Sequence, residues 1–148
     1  MSNVQETPPK SPLWNPNATA NWCIIFSPAF GSFLQAINWQ SLGEPDKANK
    51  SKRWFYFSLA LYAVLPALAF LVADEKKADA MARGIGFWYL IIWYFAVGRA
   101  QAGFVKEKFK NDYARKPWGK ALGFGVLGLL GYIVYCVVLG LIVGVAAN

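Results

Sequence analysis

Arg99, Asn21, Gln35 and Asn38 are the side chains with the most chemistry to offer here, because each stands in or beside an apolar stretch. A guanidinium or a carboxamide among apolar neighbours recognises by charge and hydrogen bonding, holding an anionic ligand or a partner's polar groups. Catalysis has little to work with. The chain contains no histidine, so the commonest general base and the commonest transition-metal ligand are both missing. Glu6, Glu44, Asp46, Asp74, Glu75, Asp79, Glu107 and Asp112 all fall outside the apolar stretches, whereas ion-coupled transporters usually keep a carboxylate at membrane depth. The neighbours Glu44 with Asp46, and Asp74 with Glu75, sit beside basic residues and read as solvated loops. Cys23 and Cys136 both lie in apolar runs and read as inert buried thiols, not a disulfide. No phosphate-binding glycine loop or nucleophile motif is present. These residue types point to binding without catalysis, with no cofactor and no metal.

The elements that must position these residues are membrane helices. Trp54 to Ala73 is a run of twenty residues without a charge, matching a hydrocarbon core about 30 Å thick. Pro66 inside it predicts a kink, with neighbouring groups satisfying the freed carbonyl. Ala121 to Ala147 is longer still, so at roughly 40 Å it must tilt or turn at one interface. Gly125, Gly128, Gly131, Gly140 and Gly144 within it are helix-packing candidates, since small residues let backbones approach in lipid. They do not share one face, which favours packing inside the chain over a single homo-oligomer seam. The third span, 84–105, requires Arg99 and Gln101 inside the helix; Arg99 then either snorkels to the headgroups or points inward to a partner.

The first apolar stretch, about 21–42, carries Trp22, Ile25, Phe26, Ala29, Phe30, Phe33, Leu34 and Ile37 at the offsets of one helical stripe. Its other side is small or polar without charge. That argues for a span or re-entrant segment whose polar side faces protein, against an interfacial helix whose wet side would carry Lys or Arg. Residues 1–20 read as a disordered polar tail without a cleavable signal, and 21–147 as one helical membrane domain. The fold class is therefore an all-α integral membrane protein with three transmembrane helices plus this amphipathic N-terminal span, re-entrant or interfacial helix.

Composition agrees, since 56% hydrophobic and 17% aromatic residues exceed what a soluble domain carries. Lys and Arg cluster in 43–53 and 99–120, which places both loops in the cytoplasm and the C-terminus in the periplasm. Asp74 to Arg83 is charge-balanced and reads as an outer loop. The net charge of +7 sits beside the spans, so its expected partner is the anionic lipid surface and not nucleic acid.

The segments WNPNATANW, FSPAFGSFLQAINW and LGEPDKANKS between Trp14 and Ser51 resemble a block, NPNAxANW, FSPAFGxxL and NWxxLGEP, of small uncharacterised bacterial inner-membrane proteins. The resemblance implies a bacterial inner membrane and transfers no activity. Within the block, Asn15-Pro16-Asn17 and Gly43-Glu44-Pro45-Asp46 are turn signals, with Asn17 or Thr19 available to cap the first helix and Asp46 a short basic helix leading into the Trp54 span. Small size and recognition residues without catalytic ones suggest an inner-membrane binding protein, most concretely an immunity protein against a membrane-targeting or pore-forming toxin. The alternative is a small oligomeric transporter or channel subunit.

Overall fold

A computed structural model describes residues 11–70, 72, 74–110 and 112–146. Residues 1–10, with Glu6, and Ala73 and Ala147 lie outside the described residues. Most of the described chain is helical, and among the described residues the β pairing is confined to one isolated bridge between Leu13 and Arg115.

The first apolar stretch is two helices, α1 (Pro16–Phe26) and α2 (Pro28–Ser41), and not the single helix its stripe predicted. Pro28 supplies the reason. A residue before proline is pushed out of the helical region, and Ser27 takes φ 112° and ψ 159°, while Pro28 is well suited to open a new helix. The two helices fold back on each other. The Asn38 side chain, in the last turn of α2, meets the Trp14 backbone just before α1, so both ends of the hairpin lie together. Lengths of about 16 and 21 Å leave each arm short of a hydrocarbon core. Ile24 and Ile25 are exposed, while Ser32, Gln35 and Asn38 are fully buried, so the polar side does face protein.

Within residues 1–20, the part from Ser11 onward departs from the reading as a disordered tail. Leu13 is fully buried, and its amide and carbonyl bond to the backbone of Ala114 and Lys116. Asn15, not Asn17 or Thr19, caps α1, accepting from the Asn17 and Ala18 amides.

Helix α3 (Pro45–Ala69) begins in the basic segment and runs unbroken into the Trp54 stretch. Gly43, at φ 74°, makes the tight turn from α2. Asp46 lies in the first turn instead of capping it; Glu44 holds the cap position without a side-chain bond to a helix amide. At Pro66 the missing N–H deprives the Tyr62 carbonyl of its donor. One residue on, the Ala63 carbonyl accepts from Tyr135 Oη on the last helix at 2.6 Å, tying the two helices at the proline.

Helix α4 (Glu75–Trp93) starts nine residues earlier than 84, because Asp74 caps it by accepting from the Lys76 and Lys77 amides. The charge-balanced segment read as a loop is helix, braced by the Asp79–Arg83 ion pair. The helix widens to a π turn over Tyr94–Gly98 and continues as α5 (Ala100–Phe109). Helix α6 (Gly119–Ala146) closes the described chain. Two helices are long and apolar enough to cross a membrane, the interrupted Glu75–Phe109 and Gly119–Ala146. Large apolar side chains such as Leu127, Val134, Leu141 and Val145 stand exposed along α6.

Candidate functional site

Four buried polar side chains meet where the hairpin docks on the π turn. Gln35 Nε2 donates to the Gly98 carbonyl at 2.8 Å, and Gln101 Nε2 donates to the Gln35 carbonyl at 3.0 Å. Asn38 Nδ2 donates to Gln101 Oε1 and to the Trp14 carbonyl, while its Oδ1 accepts from the Trp14 amide. One turn deeper, Trp93 Nε1 donates to Ser32 Oγ at 2.7 Å. The π turn shifts the backbone register, and Gln35 reaches a carbonyl within it. Gln35, Asn38, Gln101 and Ser32 are all fully buried. In such a place each bond is worth making chiefly because a lone polar group is costly. Two atoms stand outside the pattern: Gln35 Oε1 and Ser51 Oγ are buried with no hydrogen-bond partner among the described residues.

The four recognition candidates thus divide. Gln35 and Asn38 join one network, and Gln101, placed in a span by the sequence but not singled out, completes it. Asn21 is exposed and takes no part. Arg99 is exposed as well, its guanidinium carbon 5.5 Å from the Phe95 ring centre, so the inward-pointing reading of Arg99 is corrected. Gly98, ending the π turn, and Gln101, in α5, are buried, and between them Arg99 and Ala100 lie on the outer side.

The hairpin apex lies farther along the helices, against α3, α4 and α6. Between them is a groove of about 500 Å³ walled by Phe26, Ser27, Pro28, Phe55, Tyr62, Leu90, Phe124, Gly128 and Tyr132, among others. Among the described residues no carboxylate, lysine or arginine lines it. Gly125 lets α1 approach α6, since a methyl there would stand 2.9 Å from the Phe26 ring, whereas a methyl on Gly128 would meet nothing within 4 Å. Gly140 lies nearer the other end, 3.7 Å by the same measure from Phe70, and Gly131 meets nothing. Gly125 and Gly140 thus face different neighbours, while the positions of Gly128 and Gly131 leave open space beside the helix.

Ser27 is the strained element of this groove. A non-glycine residue at φ 112° and ψ 159° costs on the order of 1–3 kcal/mol, and such strain gathers at functional sites. The neighbouring polar pair is relaxed: Ser58 Oγ donates to the Trp54 carbonyl, leaving Tyr89 Oη to donate to Ser58 at 2.5 Å and tie α3 to α4. Among the described residues no three His, Cys, Asp or Glu side chains gather to hold a metal. The arrangement can bind an apolar shape by packing, and nothing in its lining forms an acid–base pair. Comparison with protein-family models, with curated proteins and with solved structures finds no match to this chain.

Proposed function

We propose that this chain is a bacterial inner-membrane protein that acts by binding and not by catalysis, most concretely an immunity protein that neutralises a membrane-targeting or pore-forming toxin. In this reading α3 crosses the bilayer together with Glu75–Phe109 and α6, and the α1–α2 hairpin is re-entrant. Irregular backbone at membrane depth is tolerated where it lines a cavity, which suits the Ser27–Pro28 break at the groove. The basic segments 43–53 and 99–120 lie in the cytoplasm with the hairpin's two ends, and the C-terminus lies in the periplasm.

The observation that carries the reading is the uncharged groove at the hairpin apex, lined with aromatic side chains and opened by Gly128. Apolar segments associate in lipid through close packing, not hydrophobic burial. A toxin helix seated there would be held in a non-conducting arrangement. The test is a deletion strain and its parent, challenged with secreted toxins of the same and competing bacteria while depolarisation and survival are scored. Sensitivity of the deletion strain to one toxin, restored by the wild-type chain but not by a Gly128→Trp variant present at equal level in the membrane, is the expected result. Equal survival of the two strains against every toxin overturns it.

The strained break of the hairpin favours a second reading, as a subunit of an oligomeric transporter or channel, because discontinuous helices near the bilayer midplane build transport sites. That reading expects altered uptake or resistance in the deletion strain without any toxin.

A further inference from the structure

At the basic end, the start of α1, the end of α5 and the connection to α6 enclose a second concavity of about 360 Å³. Among the described residues its charged lining is Lys106, Lys110 and Arg115, without a carboxylate; Tyr113, Asn15 and Asn17 complete the polar wall, and Ala102 and Val105 form an apolar one. Ion pairs among the described residues join Glu44 to Lys47, Asp74 to Lys77 and Asp79 to Arg83. None of them neutralises these three cations.

The cations are brought together by backbone, not by chance of long side chains. The Leu13 amide donates to the Ala114 carbonyl at 2.9 Å and the Lys116 amide to the Leu13 carbonyl at 2.8 Å, fastening the connection beside α1. Trp14 Nε1 adds a bond to the Pro117 carbonyl. Lys110, at φ 53°, turns the chain out of α5, and the Arg115 guanidinium lies 5.8 Å from the Tyr113 ring centre. Three cations lining one concavity repel, and an anion placed among them recovers that energy. A guanidinium matches phosphate oxygens in pairs, and two ammonium groups serve as point charges beside it.

We propose that this pocket binds a phosphate-bearing anion through Lys106, Lys110 and Arg115. Its position at the basic end makes the net-negative headgroup of an anionic phospholipid the expected source, a step that rests on the membrane reading above. Ala102 and Val105 then meet the first carbons below the headgroup, a contact that free phosphate cannot use.

The test titrates the full chain in neutral-detergent micelles with phosphatidylglycerol, phosphatidylcholine and inorganic phosphate, counting bound molecules by native mass spectrometry. Phosphatidylglycerol should bind in preference to phosphatidylcholine. Replacing Lys106, Lys110 and Arg115 together by Gln should weaken it about fivefold per cation, on the order of a hundredfold in all. A control with Lys50, Lys52 and Arg53 replaced by Gln should lose less than about fivefold, and Lys106→Arg should retain binding. Equal losses in both triple variants, or an absence of both phosphatidylglycerol preference and phosphate binding, overturn the site. Phosphate binding that the pocket variant abolishes, without lipid preference, supports the phosphate site and overturns the lipid source. An alkaline carbonate wash of cell membranes reads the membrane placement separately: release of the chain sinks that placement while the phosphate titration still decides the pocket.

Discussion

Asn38 does the work of a turn at the foot of the hairpin, giving its whole amide to Trp14 and Gln101. Removing it leaves the Trp14 amide and Gln101 Oε1 to find other partners in a buried place. Asn38→Ala should therefore cost about 3 kcal/mol in detergent unfolding experiments, near the upper range for losing several buried bonds at once. Arg99→Gln should stay within about 0.5 kcal/mol, as exposed substitutions do, although the sequence ranks both positions alike. A cost for Arg99 equal to that for Asn38 would show that the guanidinium is held inside after all. Ser27 offers the opposite sign. Glycine adopts its backbone conformation without the side-chain penalty, so Ser27→Gly should stabilise the chain by about 1 kcal/mol. A destabilised variant in the same unfolding assay would mean that the serine hydroxyl matters more than the backbone strain.

At the scale of elements, the close crossing of α1, α2 and the π turn depends on Gly31. A methyl there would collide with Cys23 Sγ and come within 2.8 Å of the Trp93 ring, which is fully buried and bonded to Ser32. Gly31→Ala should lower stability by about 2–3 kcal/mol, since neither neighbour has room to give. Gly128→Ala, in open groove, should change it by under about 0.5 kcal/mol; similar losses at both positions, measured side by side, would contradict this packing. Much of this level is legible in the sequence. Helix content and the C-terminal apolar run follow from composition, and the protein-facing polar side of Ser32, Gln35 and Asn38 from periodicity; the Trp54 run is helical within α3, which is not one of the two helices long and apolar enough to cross a membrane. The break at Ser27–Pro28 does not, because a proline is tolerated inside a membrane helix, as Pro66 shows within α3. Only tertiary packing decides which proline ends a helix. The early start of α4 has its own sequence signal, the helix-forming run Glu75 to Arg83 after a capping aspartate, while the charge balance of the same residues reads equally as a loop. Gln101 was missed for another reason: its role needs Asn38 beside it, a contact across 63 residues that no local pattern records.

At the scale of the whole molecule, the basic residues of segments 43–53 and 99–120 gather at one end. Lys47 and Lys108 both lie over the Phe104 ring, at 4.1 and 4.9 Å from its centre, and Lys116 lies over Trp14 at 4.5 Å. The ends of the α1–α2 hairpin, the start of α3, the end of α5 and the start of α6 thus share that end. Trp22 meets Trp118 and Phe26 meets Gly125, so α1 and α6 enter the body side by side. If the basic end is cytoplasmic, Ser11 and Ser41 must lie on the same side of the membrane, because the hairpin returns where it began. A spanning first helix would separate them. The discriminating measurement places single cysteines in a Cys23→Ala, Cys136→Ala background and labels them with a membrane-impermeant maleimide. Ser11→Cys and Ser41→Cys should both be protected in spheroplasts and both react in inverted vesicles, while Ala80→Cys near the start of α4 should do the reverse. Reaction of Ser11→Cys in spheroplasts with Ser41→Cys still protected would make the N-terminal stretch a span and remove the re-entrant apex from the bilayer. The groove would then lose its place as a docking site at membrane depth, so this labelling pattern bears on the binding reading as directly as any toxin challenge.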